Sequence, residues 1–436
     1  MIEFLTRFLD NYTKNQTFRA HMPGHKGRSL LPELLPAYAR DITEIKGADS
    51  LFEADGILRQ AEHQTAEIYH VPESCWSAGG STLCIQAMLA QMKAEQRNII
   101  SARTVHRAFL NSCILLDLPV KWVFPSEGSL ISGTYQIQDF EKALQEVSAP
   151  ACIYLTSPDY AGNLQPIAEI SALCRKYHAK LLVDNAHGAH LAFLEKNLHP
   201  IALGADYCCD SAHKTLPALT GGAFLHMREA SQVMQMKQHM QMFGSTSPSY
   251  LIMQSLESCT KWLSESGKEK ILLCVRRAGQ LRQQFCSKYH FIGSDPLHLT
   301  ISANGEILAE QLRNCPYPVE CEYADKTCLV LLLSPVMTEQ DFVFLASALE
   351  SVQPVPPELP PALPEPMKQV CSLRTAGLAP FEMLPLEQAE NRICASVQVP
   401  CPPAVPIAVS GEKLTRQWLE FMAFYGLKQV AVIRNS

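Results

Sequence analysis

The chain has 436 residues, 47% of them hydrophobic and 18% charged, and its formal net charge is −6. This composition excludes a disordered chain, and the length exceeds what one hydrophobic core usually organises, so we expect two or three domains. The acidic balance argues against nucleic acid as a partner, and no apolar run is long enough to make a membrane a partner.

Residues 1–50 are a polar arm, and the amphipathic stretch 2–9 predicts a short docking helix near its start. From about residue 60, helical patterns alternate with short apolar segments. The segments that predict buried strands are 98–101, 120–124, 151–156, 180–184, 205–208 and 222–226. Strands that alternate with helices predict an α/β fold with a mostly parallel sheet covered on both faces.

The second half of the sequence changes character. Residues 250–286 predict one long helix, and the apolar runs 297–301 and 328–333 predict strands of a smaller α/β unit. Seven prolines among residues 353–366 exclude a helix or an inner strand there and favour an extended linker. We therefore expect an arm (1–50), a large domain (51–290), a small α/β domain (291–352), a linker (353–367) and a C-terminal domain (368–436).

The sixteen cysteines do not have the spacing of a disulfide scaffold or of a metal site. No Cys-x-x-Cys pair occurs, and no cysteine and histidine cluster has zinc-type spacing, so we expect no metal. The adjacent Cys208 and Cys209 follow residues 205–207 in an apparent strand, which favours a structural role over a redox role. Reduced structural thiols indicate a cytoplasmic protein.

A lysine and an aspartate give the strongest indication of chemistry. Lys214 lies about thirty residues after Asp184, which ends the hydrophobic run at 181–183. A lysine amine can hold pyridoxal 5'-phosphate (PLP) as a Schiff base, and a carboxylate can keep the pyridine nitrogen of that cofactor protonated. Taken singly, each residue is better explained as a solvated lysine and an ordinary buried aspartate, so the prediction depends on the order and spacing of the pair and on the segments around them.

A PLP enzyme must also bind a phosphate and hold a ring flat. Residues 78–82 place glycines and the hydroxyls of Ser81 and Thr82 before a helical pattern, which is typical of a phosphate site, although an ordinary helix cap has the same residues. Ser211 and His213 flank the lysine and can reach the phosphate from the other side. His106 follows a predicted strand end, where it can stack on the ring, unless it is a solvated loop histidine.

Together these residues resemble the bacterial ornithine/lysine/arginine decarboxylase family of fold-type-I PLP enzymes. The segments that carry the resemblance are 21–27, 43–44, 47–51, 80–82, 103–106, 184–190, 211–220, 386–389, 400–403 and 411–412. The resemblance implies that Lys214 is the Schiff-base lysine, that Asp184 faces the pyridine nitrogen and that His106 stacks on the ring. It also implies that His187 lies near the cofactor and that the phosphate is bound by the following residues: Ser81, Thr82, Ser211 and His213.

The resemblance further implies at least a homodimer, with the loop that bears His25, Lys26 and Asp49 closing an active site. Because the sequence starts directly at this arm, we expect a short form without the N-terminal wing domain of the large inducible decarboxylases. Asn185 departs from the family pattern, since many relatives have glutamate after the aspartate. Departures of this kind put the substrate in doubt more than the cofactor.

The sequence therefore predicts a decarboxylase that converts lysine, ornithine or arginine into an amine and CO2. Another PLP reaction (an aminotransferase, racemase or lyase) stays open, because the fold does not fix which bond at Cα breaks. A non-catalytic PLP-binding protein is a further alternative. The carboxylates available for a substrate side-chain pocket are Glu44, Asp49, Asp159 and Asp295.

Overall fold

The computed structural model describes residues 1–15, 17–128, 130, 132–396 and 405–434. The described helices are α1 (Phe4–Lys14), α2 (Leu35–Arg40), α3 (Ile57–Tyr69), α4 (Gly80–Ala94), α5 (Arg107–Leu116), α6 (Ile137–Glu146), α7 (Ile167–Lys176), α8 (Ala212–Thr215), α9 (Val233–Phe243), α10 (Tyr250–Trp262), α11 (Lys268–Gln284), α12 (Gly305–Arg313), α13 (Glu339–Ser351), α14 (Leu373–Gly377) and α15 (Arg416–Phe424).

The described strands are β1 (Glu73–Ser77), β2 (Asn98–Ala102), β3 (Val120–Val123), β4 (Glu127–Gly128), β5 (Gly133–Thr134), β6 (Ala151–Thr156), β7 (Lys180–Asp184), β8 (Tyr207–Asp210), β9 (Ala223–Met227), β10 (His290–Ile292), β11 (His298–Ser302), β12 (Tyr323–Ala324), β13 (Cys328–Leu332), β14 (Phe381–Pro385) and β15 (Gln429–Ile433). The chain forms two compact units, one of Met1–Gln91 with Leu182–Leu272 and the other of Met92–Leu181 with Leu273–Ser436.

The sheet of the first unit is mixed. Its strands lie in the order β1-β9-β8-β7, where β7 and β8 are parallel and β9 is antiparallel to both of its neighbours. The strand β1 was not predicted from the sequence. Its residues are buried although most are polar, because Ser74 and Trp76 find hydrogen-bond partners in the interior.

A buried carboxylate fixes the N-terminal helix of the first unit. Helix α1 buries Leu5 and Leu9, which agrees with the docking helix predicted near residues 2–9. The backbone N–H groups of Leu5 and Thr6, in its first turn, donate to the two carboxylate oxygens of Glu257 in α10 at 2.9 and 2.8 Å. Negative charge at a helix N-terminus is favourable, so this contact orients α1 on α10.

The second unit contains a parallel sheet and an antiparallel sheet. The parallel strands lie in the order β6-β2-β3, and the antiparallel strands lie in the order β10-β11-β13-β12. Helices α11, α12 and α13 supply much of the apolar core that covers the antiparallel sheet. A separate core near the C-terminus includes Trp418 and Phe421 of α15, together with Val430 and Val432 of the antiparallel pair β14-β15.

The predicted elements match the structure closely. The strands predicted at 98–101, 120–124, 151–156, 180–184 and 222–226 are present within one residue at each end. The strand predicted at 205–208 lies instead at Tyr207–Asp210, and the long helix predicted at 250–286 is interrupted by a π-helical turn at Leu263–Gly267. No helix or strand lies in residues 353–366 of the described chain, as the prolines require.

Three further expectations concern the segment 400–403, membrane crossing and the division into domains. The segment 400–403 lies outside the described residues. None of the described helices combines the length and the hydropathy that a membrane crossing requires. The division of the sequence into five parts stays a prediction.

Candidate active site

The predicted Schiff-base lysine lies in the first unit, just beyond the end of β8. Ser211 precedes the single turn α8, and its carbonyl accepts a hydrogen bond from the backbone N–H of Lys214 at 3.1 Å. The Lys214 Nζ atom lies 2.9 Å from Nε2 of His187, which is 4% exposed. A primary amine that is half buried next to an imidazole can exchange a proton with it.

Asp184 is the last residue of β7, and its side chain is 2% exposed. Its Oδ1 atom accepts a hydrogen bond from the backbone N–H of Ala186 at 3.2 Å and lies 3.6 Å from Sγ of Cys209. A carboxylate that is fixed in this way at the carboxyl end of a strand can pair with a protonated ring nitrogen.

Two of the predicted phosphate ligands are in direct contact. The hydroxyl oxygens of Ser81, at the start of α4, and Ser211 lie 2.6 Å apart. Gly80 has a φ of +67°, and a Cβ atom at this position would meet nothing within 4 Å, so there is open space beside the helix N-terminus. The first turn of α4 contains no acidic residue, which leaves the positive end of the helix available for an anion.

The remaining predicted ligands of the first unit differ in exposure. Thr82 is exposed next to Ser81. His213 is half buried, and its Nδ1 atom lies 2.9 Å from the carbonyl oxygen of Gly222, which leads into β9. The first unit thus contains seven of the eight predicted site residues: Ser81, Thr82, Asp184, His187, Ser211, His213 and Lys214.

His106 belongs to the second unit and precedes α5 as its N-terminal cap. Its Nδ1 atom accepts a hydrogen bond from the backbone N–H of Ala108 at 3.1 Å, which fixes the ring and leaves the proton on Nε2. The residue therefore has a structural role at the start of this helix. Its stacking on a cofactor ring stays a prediction.

Three of the four carboxylates considered for a substrate pocket accept hydrogen bonds from backbone N–H groups. Asp49 accepts N–H groups at the start of α3, and Asp295 accepts those of Leu297 and His298. Asp159 accepts those of Ala161 and Asn163, and burial raises its pKa to about 6. Glu44 is exposed.

A cluster of buried polar side chains in the first unit was not anticipated from the sequence. The Oδ2 atom of Asp210 lies 3.2 Å from Nε2 of His199 and 3.5 Å from Nε2 of His226, and its Oδ1 atom accepts a hydrogen bond from Nδ2 of Asn185 at 2.7 Å. Burial alone would raise the pKa of Asp210, but His199 and His226 hold this pKa well below its usual range. The residues come from separate segments, so sequence spacing gave no indication of the cluster.

The arrangement fits PLP. The Ser81 and Ser211 hydroxyls at a helix N-terminus suit a phosphate dianion, the Lys214 amine suits an aldehyde, and Asp184 suits a protonated ring nitrogen. A Cβ atom at Gly80 would meet no other atom within 4 Å, so the start of this helix is open to a ligand.

Comparison with known proteins agrees with this assignment. The family model described as Orn/Lys/Arg decarboxylase, major domain, matches residues 4–300, and the model of the C-terminal domain of that family matches residues 371–429. An arginine decarboxylase of Halalkalibacterium halodurans is 27% identical over 451 residues, which are 94% of this chain and 91% of that protein. An arginine decarboxylase of Bacillus subtilis is 26% identical over 449 residues, with 95% and 91% covered.

Solved structures show the fold. The lysine decarboxylase LdcF of Francisella novicida has a TM-score of 0.83 at 16% identity, covering 99% of this chain and 81% of that chain. The serine palmitoyltransferase of Sphingomonas wittichii has a TM-score of 0.56 at 16% identity, covering 67% and 75%. The fold-type-I architecture and the family resemblance predicted from the sequence are therefore confirmed. The chain belongs to the Orn/Lys/Arg decarboxylase family and is an amino-acid decarboxylase whose cofactor is PLP.

Proposed function

We propose that this chain decarboxylates arginine and releases CO2 and agmatine. The observation that carries the proposal is the contact between Lys214 and His187, in a unit that also contains Asp184 and the pair of Ser81 and Ser211. Arginine is chosen among the basic amino acids because relatives that are 26% or 27% identical over at least 92% of this chain are named arginine decarboxylase.

Asp184 has the role of stabilising charge. When bound, PLP supplies a protonated pyridine ring that withdraws the electron pair of the bond between Cα and the carboxylate. Asp184 keeps a proton on the ring nitrogen, and its burial at 2% exposure strengthens this interaction because little water screens it. The carboxylate therefore matters more to the rate than to substrate binding.

Lys214 and His187 are placed to transfer protons. Lys214 must present a neutral amine to hold the cofactor, and Nε2 of His187, 2.9 Å away, is placed to take the proton that the amine gives up. After CO2 leaves, Cα needs a proton, and the same pair is placed to return one. With the cofactor bound, Ser81, Thr82, Ser211 and His213 would hold the phosphate, and His106 would stack on the ring.

The test is CO2 release by the PLP-loaded protein with arginine, lysine and ornithine offered separately, and with the amine product identified by mass spectrometry. Arginine should give CO2 and agmatine in equal amounts. Release from lysine or ornithine alone would refute the arginine assignment and retain the decarboxylase. If none of the three releases CO2 while amino acids still perturb the cofactor absorbance, another PLP reaction or substrate would replace the proposal.

We also propose a cytoplasmic homodimer or higher homo-oligomer. The family resemblance supports the oligomer, and the cysteines of the described residues support a reducing compartment because all of them are free. Sedimentation velocity at micromolar concentration would test the oligomer, and a monomer would contradict it.

A further inference from the structure

Four buried side chains with possible metal-ligand atoms lie close together in the first unit. They are His199, Cys208, Asp210 and His226, each 0% exposed, and we call them the donor cluster. They are distinct from the seven predicted site residues of this unit. Their atoms (two imidazole nitrogens, a thiol sulfur and a carboxylate oxygen) are the ligand types that zinc prefers in proteins.

The ligand atoms of His199, Cys208 and Asp210 all lie within 4.8 Å of one another, and His226 contacts the carboxylate of Asp210. Bond lengths to zinc imply tetrahedral edges of about 3.4 Å between nitrogen and oxygen and about 3.6 Å between sulfur and either of them. The Asp210 Oδ2 atom lies 3.2 Å from Nε2 of His199 and 3.5 Å from Nε2 of His226. The Cys208 Sγ atom lies 3.8 Å from Nε2 of His199 and 3.3 Å from Oδ1 of Asp210.

The sheet itself places two members of the donor cluster together. Cys208 in β8 and His226 in β9 are directly opposed in the antiparallel register, and Ser74 in β1 is opposed to His226 on its other side. Directly opposed side chains project from the same face of a sheet. The pairing of β8 and β9 thus brings together two residues that are eighteen positions apart in the sequence.

Neighbouring side chains orient the donors. Nδ1 of His226 lies 2.8 Å from the hydroxyl of Ser74, and Nε2 of the same ring has no hydrogen-bond partner among the described residues. If Nδ1 donates to the hydroxyl, Nε2 presents its lone pair to the donor cluster. Asn185 donates to Oδ1 of Asp210 at 2.7 Å and leaves Oδ2 to the imidazoles. Such outer contacts commonly fix the ligands of a metal ion.

Two imidazoles face the buried carboxylate of Asp210, and each can offer a lone pair to a metal ion when it is neutral. The described partners of Asp210 include no lysine or arginine, although the carboxylate is fully buried. We propose that His199, Cys208, Asp210 and His226 bind one Zn²⁺ ion as a structural site. A thiolate and a carboxylate balance the two positive charges, two neutral imidazoles complete the shell, and the thiol proton leaves to solvent on binding.

The ion would fix the strand that leads to the lysine. It would join β8, β9 and the segment that contains His199, and β8 runs directly into Ser211 and Lys214. The proposed site would be closed to solvent, because none of the four residues is exposed. It would therefore act in stability and not in the chemical step.

The test begins with the zinc content of the PLP-loaded, tag-free protein, measured by inductively coupled plasma mass spectrometry after gel filtration with a weak chelator. We expect about one zinc ion per chain, released to a chromogenic chelator only when urea unfolds the protein. Cys208→Ser and His226→Gln should lose most of the zinc. The matched control is Cys259→Ser, another buried thiol of the first unit, and it should keep the zinc.

Protein that contains no zinc, even after refolding with Zn²⁺, would overturn the proposal, and so would equal zinc in Cys208→Ser and Cys259→Ser. If the ligand variants do not fold, wild-type protein refolded with Co²⁺ decides the question. The visible d–d bands of four-coordinate Co²⁺ are expected at longer wavelengths than the absorbance of PLP. The weak bands of six-coordinate Co²⁺, or none, would refute the site.

Discussion

Lys214 is the residue on which the cofactor assignment depends most directly, and it can be tested without activity. Borohydride reduction of PLP-loaded protein should attach a pyridoxyl group to the peptide that contains Lys214, because only a lysine-bound cofactor is trapped in this way. Lys214→Ala should lose the label, the visible cofactor absorbance and turnover. A label on another lysine, found by peptide mass spectrometry, would show that the assignment is wrong.

Asp184→Asn should separate binding from catalysis. The amide keeps the size of the side chain but removes the charge that holds a proton on the ring nitrogen, so we expect the cofactor to remain bound while kcat falls about 10²-fold or more. The measurement is steady-state CO2 release together with the cofactor content. Glu67→Gln, an exposed carboxylate of the same unit, is the matched control and should keep normal kcat. Near-normal activity of Asp184→Asn would mean that another group protonates the ring.

The candidate site residues that the sequence indicates most directly are those with local signals. Asp184 ends a hydrophobic run, Lys214 follows a strand, and Ser81 follows two glycines at the start of a helix. Ser81 and Ser211, whose hydroxyls are in contact, are 130 positions apart in the sequence. The sequence connects them only because both are predicted to bind the same phosphate. His199 and His226 could not be predicted as neighbours from the sequence. Their contact depends on how the strands pair and on where the loop with His199 runs, and the spacing of residues in the sequence indicates neither.

Among the elements, α1 offers the clearest test of a polar contact. Glu257→Gln keeps an acceptor for one N–H group but removes the charge at the helix N-terminus, which is worth about 0.3–2 kcal/mol. We expect faster hydrogen exchange for the amides of residues 4–14 and little change elsewhere. Glu265→Gln, on an exposed side chain, should leave that exchange unchanged. Equal exchange in both variants would mean that Leu5 and Leu9 alone hold the helix.

The sequence predicted the strands whose buried side chains are hydrophobic and missed β1, whose buried side chains are mostly polar. The runs at 98–101 and 180–184 are hydrophobic, so their period is visible in the sequence. In β1, by contrast, Ser74, Trp76 and Ser77 are 0% exposed, and the partners that satisfy Ser74 and Trp76 are remote, namely His226, Glu62 and Thr65. A polar strand of this kind resembles a loop until its partners are known.

At the scale of the whole molecule, one buried guanidinium ties the C-terminal residues to the loop before α5. Arg103 is 0% exposed and donates to the carbonyl oxygens of Pro406 and Ile407 at 2.8 and 3.1 Å. Its Nη2 atom lies 3.6 Å from Oε2 of Glu412, which is also buried. The sequence motif contained Arg103, but nothing in the sequence indicated that its partners lie about three hundred residues away.

Arg103→Met should therefore destabilise the second unit strongly, by about 3–5 kcal/mol, because it leaves Glu412 buried without its partner. Thermal unfolding and limited proteolysis of the C-terminal segment would measure this loss. Adding Glu412→Gln should restore part of the stability, and Arg416→Met, on an exposed helix position, should cost little. An unchanged midpoint for Arg103→Met would show that the pair contributes nothing.

The contact of Arg103 with residues 406 and 407 also has a consequence for the order of synthesis. During translation, Arg103 emerges about three hundred residues before its carbonyl acceptors, so the guanidinium must stay in water until residues 406 and 407 have been made. The second unit can close around Arg103 only after that point. A nascent chain that stops before residue 406 would present the loop before α5 as a site for chaperones or proteases.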